Sequence, residues 1–383
     1  MIAQNDISIL FADDQPFMRE TVRNILRSKG YKQIETVSDG REALRSLRNK
    51  IPGFVIADWN MPHITGIELL KIMRNDIQFF RIPFLMLTGE GSHEMIMYAL
   101  EEDSDGFIVK PFTPIGLINK VTGILHQTSH PDELHSMLIR MKFLKLTQKY
   151  EQALEIGYEI LRTRQSPKAT LLTIECLYNT KKYDAAARMM QDSHDEDKSS
   201  KHLSLYAKVL FALEKQTSAI EFMERASIKN PLNQTIKIDL ARAYFNAGRN
   251  DDAENIIMDI EKNETGDLIM ADIAQMYIDR NNLDRASFFI EKAGSPIKET
   301  VHIFNNYAVE LRKAGKYSES LEIYKKCVKI ESRSDILYYN LGLLYSMMGK
   351  SEEAKKAIAK SLELNPENKI AESMSMKLGA RSS

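Results

Sequence analysis

The sequence predicts an α/β domain with a parallel sheet, followed by an all-α domain of repeated helix pairs. Four short apolar runs carry the first half of this prediction, and they span residues 7–12, 54–57, 84–87 and 107–109. Amphipathic helical stretches separate the runs, and no run alternates with polar residues, which is typical of buried parallel strands. A helical pattern that recurs at a fixed spacing later in the chain carries the second half.

Each apolar run ends next to a side chain that suits phosphoryl chemistry. These side chains are Asp13 and Asp14, Asp58, Thr88 and Lys110. Because ligands of open α/β sheets bind outside the carboxyl ends of the strands, we expect all five to meet at one site. Carboxylate oxygens suit a small hard cation such as Mg²⁺, so the sequence predicts a magnesium-dependent, phosphoryl-accepting site.

Asp58 is the predicted nucleophile, since an aspartyl phosphate divides a phosphoryl transfer into two steps. The following segment, 59–62, contains a proline and precedes Gly66, which indicates a loop that leaves the Asp58 carboxylate accessible. A phosphoryl group in transfer spreads negative charge over its oxygens, and we expect Lys110 and Thr88 to stabilise that charge. Acidic residues after a strand also serve as helix caps, but several converging strand ends favour a site.

These motifs resemble the receiver domain of two-component response regulators over about residues 5–125. The motifs are Asp13-Asp14, Asp58-Trp59-Asn60-Met61-Pro62, Thr88-Gly89-Glu90 and Phe107-Ile108-Val109-Lys110-Pro111. The resemblance implies a doubly wound α/β fold, with a five-stranded parallel sheet in the order 2-1-3-4-5. It also implies a cis peptide bond between Lys110 and Pro111.

The resemblance further implies how phosphorylation proceeds. Asp58 is expected to receive a phosphoryl group from a histidine kinase or a phosphotransfer protein. The cofactor Mg²⁺ would be held by Asp13, Asp14, Asp58 and the main-chain carbonyl of Asn60.

Thr88 and Lys110 would bind the phosphoryl group, and Thr88 with Phe107 would form the conformational switch. Phe107 is otherwise an ordinary core aromatic, and its position three residues before Lys110 favours the switch. Asn60 and Glu90 resemble the pair found in single-domain chemotaxis regulators. They would tune the lifetime of the phosphorylated state, and the resemblance implies fast self-dephosphorylation.

The chain from residue 132 onward resembles tetratricopeptide repeats. Small residues recur every 34 positions at Ala274, Ala308 and Gly342, and large ones do so at Tyr277, Leu311 and Tyr345. Helix pairs of this kind cannot bury their apolar faces alone, and therefore they stack into a solenoid. Five clear repeats are predicted to start near Ser200, Gln234, Asp267, Val301 and Asp335, after two degenerate ones at 132–165 and 166–199.

These observations predict the domain boundaries. A receiver at 1–125 is followed by a short linker at 126–131, about seven repeats at 132–368, and a capping helix with a tail at 369–383. Pro131 suits the first turn of a new helix. His194 lies among acidic residues in the segment 192–200, which suits a solvated loop between repeats better than the alternative, a metal site.

The concave face of the repeats is the predicted partner-binding surface. The candidate groove residues are Lys208, Arg242, Asn246, Asn305 and Arg312, with Lys201, Ser204, Gln275, His302 and Lys313 on the same face. Amides pair with an extended peptide backbone, and cations attract an acidic partner. The alternative is a solvated surface without specific contacts.

Composition argues against several functional classes. The chain has 52 basic and 53 acidic residues, without the basic excess of a nucleic-acid-binding protein. Residues 1–6 lack a signal-peptide pattern, and no apolar run is long enough for membrane insertion. The two cysteines, Cys176 and Cys327, lie in helical stretches, which indicates reduced thiols in a cytoplasmic protein.

The sequence therefore predicts a response regulator that acts as a phosphorylation-controlled adaptor, in which the solenoid binds an unidentified protein partner. The alternative is a competitor or phosphate sink that inhibits phosphotransfer from a shared kinase to another regulator. No His-Glu-x-x-His, nucleophile-elbow or P-loop motif accompanies the repeats. We therefore expect no enzymatic output beyond self-phosphorylation from phosphodonors and self-dephosphorylation.

Overall fold

The computed structural model of the protein describes residues 7–89, 93–191, 199–262 and 265–380. Two features of the sequence lie outside these residues: Glu90, and most of the charged segment around His194.

The first part of the chain is a parallel sheet flanked by helices. Its elements are β1 (Ser8–Ala12), α1 (Pro16–Ser28), β2 (Gln33–Val37), α2 (Gly40–Asn49), β3 (Phe54–Asp58), α3 (Gly66–Asn75), β4 (Phe84–Thr88), α4 (His93–Glu101), β5 (Gly106–Val109) and α5 (Pro114–Ser129). Within the described residues, five parallel strands stand in the order β2-β1-β3-β4-β5. This order confirms the predicted fold class.

Burial explains why four strands were visible as apolar runs and one was not. β3 and β4 lie inside the sheet and are buried along their whole length, which requires continuous apolar sequence. β2 is an edge strand, and its residues are exposed or half-buried. Its sequence, Gln33–Val37, therefore mixes polar and apolar residues.

Gly66 begins α3 directly beside the end of β3. Its N–H donates a hydrogen bond to the Trp59 carbonyl oxygen at 2.9 Å. Thr65 caps the helix through a reciprocal capping box with Glu68. A Cβ atom at position 66 would overlap the carbonyl oxygen of Asp58. Glycine is therefore required where α3 passes the end of β3.

The rest of the chain is helical. Its helices are α6 (Glu133–Leu146), α7 (Tyr150–Thr163), α8 (Pro167–Asn179), α9 (Tyr183–Gln191), α10 (Ser200–Ala212), α11 (Gln216–Lys229), α12 (Gln234–Asn246), α13 (Asn250–Glu261), α14 (Asp267–Asp279), α15 (Leu283–Ala293), α16 (Val301–Lys313), α17 (Tyr317–Ile330), α18 (Asp335–Met347), α19 (Ser351–Leu364) and α20 (Lys369–Ala380). The five residues near which the clear repeats were predicted to start are the first residues of α10, α12, α14, α16 and α18.

Successive helix pairs from α6–α7 to α18–α19 share one turn geometry. Each turn contains a residue with positive φ, and these residues are Gln148, Lys181, Glu214, Gly248, Asn281, Gly315 and Gly349. The next residue donates its N–H to a carbonyl five residues earlier, as Lys215 does to Leu210 at 2.9 Å. This bond satisfies a carbonyl that the helix end would leave unpaired.

The chain forms two compact units, residues 1–264 and 265–383. The first holds the sheet and the helices through α13, and Met141, Ile174 and Leu177 are among the buried residues of its helical core. In the second, Tyr277 and Phe289 stack with ring centroids 5.6 Å apart.

The junction between α5 and α6 differs from the predicted linker. α5 continues to Ser129 and α6 begins at Glu133, so most of the predicted linker 126–131 is helical. The hydroxyls of Thr128 and Ser129 donate to carbonyl oxygens one turn earlier, at 2.9 and 2.8 Å, and so remain satisfied within the helix. The helix ends just before Pro131, which disfavours a helical conformation in the residue that precedes it.

Cys176 and Cys327 are unpaired thiols buried in the helical part. In the described part of the chain, no helix combines the length and the apolar character needed to cross a membrane.

We predict that Gly66→Ala lowers the free energy of unfolding by about 1–3 kcal/mol, because the added methyl must displace the main chain. Gly123→Ala is the matched control, since a Cβ at that exposed position on α5 contacts nothing. There, alanine is expected to stabilise the helix by up to about 1 kcal/mol. Denaturant titration followed by the fluorescence of Trp59, the single tryptophan, measures both. Equal stability of the two variants would contradict the close approach.

Candidate functional site

Asp13, Asp58 and Lys110 meet at the carboxyl-terminal edge of the sheet. Asp58 is the last residue of β3, Asp13 follows β1, and Lys110 follows β5. The Lys110 ammonium lies 2.9 Å from Asp13 Oδ2 and 2.5 Å from Asp58 Oδ1. Its main-chain N–H donates to the Thr88 carbonyl oxygen at 2.7 Å, which fixes the start of its side chain. One cation therefore joins two strand-end carboxylates.

Burial shapes the electrostatics of this cluster. Desolvation raises the pKa of Asp58, the Lys110 ammonium opposes the rise, and the charges of Asp13 and Asp14 add to it. Desolvation also disfavours the charged form of Lys110, but the two carboxylates beside it outweigh that effect and raise its pKa. The carboxylates of this cluster are partly desolvated, and a nearby cation stabilises their charged forms.

The predicted switch residues lie on the two neighbouring strands. Thr88 ends β4 and is buried, and its hydroxyl lies 3.8 Å from the Met95 sulfur of α4. Phe107 on β5 is half-buried, with the Lys120 ammonium 5.6 Å from its ring centroid. The peptide bond between Lys110 and Pro111 is cis, as predicted.

The carboxylates provide the donor chemistry of a hard cation. Asp13 and Asp14 both raise the pKa of Asp58, so the three charges interact, and a divalent cation would relieve their repulsion. Asp13 Oδ1 accepts the Gln15 N–H at 2.9 Å, while Asp14 is exposed. Among residues 7–89, 93–191, 199–262 and 265–380, no group of three or more His, Cys, Asp or Glu side chains is close enough to hold a metal.

Asn60 and Trp59 lie in the loop that follows Asp58. Asn60 is exposed, and Trp59 is half-buried with its ring against Tyr98 of α4, at a centroid distance of 5.8 Å. The side chain that follows Asp58 therefore contacts the same helix that Thr88 contacts through Met95.

Tyr98 also connects α4 to the repeats. Its hydroxyl donates to Asn233 Oδ1 at 3.3 Å and accepts from the Lys71 ammonium at 2.7 Å. Lys71 in turn donates to the Thr235 hydroxyl at 2.8 Å, and Asn233 caps α12. Tyr98 is buried, which raises the pKa of its hydroxyl and keeps it protonated. A hydrogen-bonded path therefore leads from the sheet region into a repeat helix.

An acidic run at the end of α4 makes further contacts with the repeats. Glu101, Glu102 and Asp103 contact residues of α6, α8, α10 and the end of α11. The sequence prediction missed this run. The sequence feature that could have indicated these contacts is a pair of lysines at the same position in successive repeats. Lys168 and Lys201 are each the second residue of a helix.

The predicted groove residues of the first unit make local contacts. Lys208 pairs with Asp239 at 2.8 Å, and Arg242 lies 3.7 Å from the same carboxylate. Asn246 is exposed, whereas Ser204 is buried.

The groove residues of the second unit include interacting amides. Asn305 accepts a hydrogen bond from Asn340 at 2.9 Å, and Gln275 accepts one from Asn306 at 3.0 Å. Arg312 is half-buried, with its guanidinium 3.7 Å from the Met347 sulfur. His302 and Lys313 are exposed.

Models of known protein families match both parts of the chain. The model described as the response regulator receiver domain matches residues 9–122. Tetratricopeptide repeat models match residues 210–268, 301–333 and 336–368. Residues 146–226 match the model of anaphase-promoting complex, cyclosome, subunit 3.

Three relatives with similarity to the first part of the chain illustrate the match. The chemotaxis protein CheY-3 of Vibrio cholerae is 39% identical over 126 residues, which are 33% of this chain and 97% of that protein. The chemotaxis protein CheY of Pseudomonas aeruginosa is 36% identical over 123 residues, covering 32% of this chain and 99% of that protein. The structure of CheY4 of Vibrio cholerae, at 36% identity, covers 31% of this chain and 98% of that chain with a TM-score of 0.30.

We predict that Tyr98→Phe lowers the free energy of unfolding by about 1–2 kcal/mol, because it removes a buried hydroxyl with two hydrogen-bond partners. Tyr158→Phe is the control, since Tyr158 is 38% exposed. Denaturant titration followed by circular dichroism and Trp59 fluorescence compares the variants. If Tyr98→Phe is as well tolerated as Tyr158→Phe, the hydroxyl does not stabilise the contact between α4 and the repeats.

Proposed function

Since the chain belongs to the response regulator receiver family and carries tetratricopeptide repeats, we propose that it is a phosphorylation-controlled adaptor. In this proposal, Asp58 receives a phosphoryl group from a histidine kinase or a phosphotransfer protein. The repeats then bind or release a protein partner. The receiver corresponds to residues 1–125, and the helical remainder from residue 132 forms the repeats and a capping helix.

The strand-end cluster supports the phosphoryl chemistry. Asp58 is the nucleophile, and its carboxylate attacks the phosphorus of the donor while the donor's leaving group departs. Lys110 holds a positive charge where the phosphoryl oxygens arrive, and the Thr88 hydroxyl donates a hydrogen bond to one of them. Asp13, Asp14, Asp58 and the Asn60 main-chain carbonyl would hold Mg²⁺, which would supply positive charge opposite the phosphoryl group.

The position of α4 is the single observation that carries the adaptor proposal. On one side, α4 contacts Thr88 through Met95 and Trp59 through Tyr98. On the other side, Tyr98 contacts the repeats at Asn233. Recruitment of the Thr88 hydroxyl to a phosphoryl group changes its distance to Met95, and α4 transmits that change because it touches both regions. A ligand shifts such an equilibrium only through different contacts in the two states, and α4 offers those contacts.

Repeats of this class act by binding proteins, so we infer an output by interaction and not by a separate enzymatic reaction. The candidate groove at Lys208, Arg242 and Asn246, with Asn305 and Arg312 in the second unit, is one proposed partner surface. Reduced, buried cysteines and the intracellular setting of histidine kinase signalling support a cytoplasmic location.

We predict that Asp58 is the only phosphorylated residue and that labelling needs Mg²⁺. Incubation with a radiolabelled small phosphodonor should label the wild-type chain with the lability of an acyl phosphate. Asp58→Asn should remove the label, and so should chelation of Mg²⁺. Asp105→Asn is a control, since Asp105 precedes β5, at the opposite end of that strand from Lys110, and pairs with Arg74 at 2.7 Å. Label that persists in Asp58→Asn would contradict the assignment.

We further predict that phosphorylation loosens the contact between α4 and the repeats. Hydrogen exchange of the full chain, with and without beryllium fluoride and Mg²⁺, should show faster exchange at 93–103, 199–202 and 233–236. The same treatment of Asp58→Asn should change nothing. Unchanged exchange in a chain that does take the phosphoryl label would contradict the adaptor and favour the phosphate sink.

A further inference from the structure

We propose that the repeats carry a binding site for an acidic protein segment, and that the receiver's own residues 101–103 occupy this site as an internal ligand. The site consists of Lys142, Lys168, Ser200, Lys201 and Asn230, and we call it the cradle. This inference rests on the proposed function, because it names the site that phosphorylation is to open and the chemistry of the partner that enters it.

Glu101 is held on both carboxylate oxygens. Oε1 accepts the main-chain N–H of Ser200, the first residue of α10, at 3.0 Å. Oε2 accepts the Ser200 hydroxyl at 2.5 Å and the Asn230 amide at 2.9 Å. Ser200 and Asn230 are buried. A carboxylate at a helix N-terminus also interacts favourably with the helix dipole, so this position is built for an anion.

The two following acidic residues face the lysines of the cradle. Asp103 lies 2.8 Å from the Lys142 ammonium and 3.1 Å from that of Lys168. Glu102 lies 3.2 Å from the Lys201 ammonium, which also donates to the main-chain carbonyl of Glu101 at 3.1 Å. Three consecutive residues of one segment therefore meet three cations from three different helices.

The charges in this contact depend on one another. Burial opposes ionisation of Asp103, but Lys142 and Lys168 outweigh it and hold its pKa below the ordinary range. Burial likewise lowers the pKa of Lys142, and Asp103 only partly restores it. If residues 101–103 left, Lys142 and Lys201 would lose their counter-charges in a partly buried setting, which is costly. The open cradle therefore favours a replacement anion.

The acidic run is not favoured by its own helix, and its charge partners are the cradle lysines together with Lys71 of α3, which lies 3.7 Å from Glu102. Glu101 ends α4, and Glu102 and Asp103 follow it directly, where the negative end of the helix dipole repels carboxylates. Asp103 also has a positive φ of 61°, which non-glycine residues rarely adopt. A partner that presents consecutive carboxylates at the end of a helix would meet the same donors.

The test uses the full chain and a fluorescein-labelled peptide with the sequence of residues 94–105. Glu101→Gln/Asp103→Asn weakens the internal ligand and leaves the cradle intact. We expect this opened variant to bind the peptide at least tenfold more tightly than the wild type, measured by fluorescence anisotropy. Adding Lys168→Ala/Lys201→Ala to the opened variant should remove at least tenfold in affinity. Lys149→Ala/Lys215→Ala is the matched control, since both lysines are exposed and lie outside the cradle and the candidate groove.

Three outcomes would overturn the inference. Equal affinity of the wild-type and opened chains would mean that residues 101–103 do not occupy the site. Binding that survives the Lys168→Ala/Lys201→Ala change would place the peptide elsewhere. A control peptide with Gln-Gln-Asn in place of Glu-Glu-Asp that binds equally well would mean that apolar contact, and not charge, is recognised. Circular dichroism of every variant checks that the fold is retained.

A final arm separates this inference from the proposed function. Beryllium fluoride and Mg²⁺ should raise the affinity of the wild-type chain for the peptide, and Asp58→Asn should not respond. If the opened variant binds the peptide but the treated wild type does not, the result supports the cradle and contradicts its control by phosphorylation. If beryllium fluoride and Mg²⁺ accelerate hydrogen exchange in α4 but the opened variant does not bind the peptide, the result supports phosphorylation control and contradicts the cradle.

Discussion

Helix α4 is held from two sides, and the link between the strand-end cluster of Asp13, Asp58 and Lys110 and the repeats depends on this arrangement. The helix has nine residues, too few to be stable by propensity alone. Its position is therefore set by what it touches: Thr88 and Trp59 near the sheet, and Asn233 in the repeats. An element with little stability of its own and two sets of tertiary contacts is well suited to take two positions, because no long internal structure has to be disrupted.

The strand-end site could be predicted from the sequence because the topology of a parallel sheet determines where its strands end. Parallel strands all end at one edge, so Asp58 and Lys110 were expected to meet although they are distant in the sequence, and they lie 2.5 Å from each other. No comparable topological rule predicts the contacts between α4 and the repeats. Glu101 and Ser200 are separated by 99 residues, and the acidic run carries no periodicity that connects it to a partner. Only the three-dimensional structure brings those charges together.

The repeats could be predicted from the sequence for a different reason. Their period is enforced by a turn that needs one residue with positive φ, and this turn recurs once in every helix pair. Glycine fills it at positions 248, 315 and 349, whereas Gln148 and Lys181 adopt the same strained conformation in the two predicted degenerate repeats. The earlier repeats therefore look degenerate in sequence while keeping the same geometry. The sequence did not predict the helical extension of α5 to Ser129, because serine and threonine are more typical of turns and helix ends than of helix interiors.

The receiver contacts equivalent positions in successive repeats: Lys168, Lys201 and Thr235 are each the second residue of the first helix in a pair. Lys168 and Lys201 contact the segment that follows α4, whereas Thr235 contacts Lys71 of α3, and the rotation between neighbouring repeats sets where these contacts fall. A partner that changes this rotation alters how well α4 fits, wherever on the repeats it binds. Under the proposed function, thermodynamic linkage requires the converse of signalling: a protein bound to the repeats would change the free energy of phosphorylation at Asp58 by the same amount that phosphorylation changes its affinity. The partner would be an input to the receiver as well as its output.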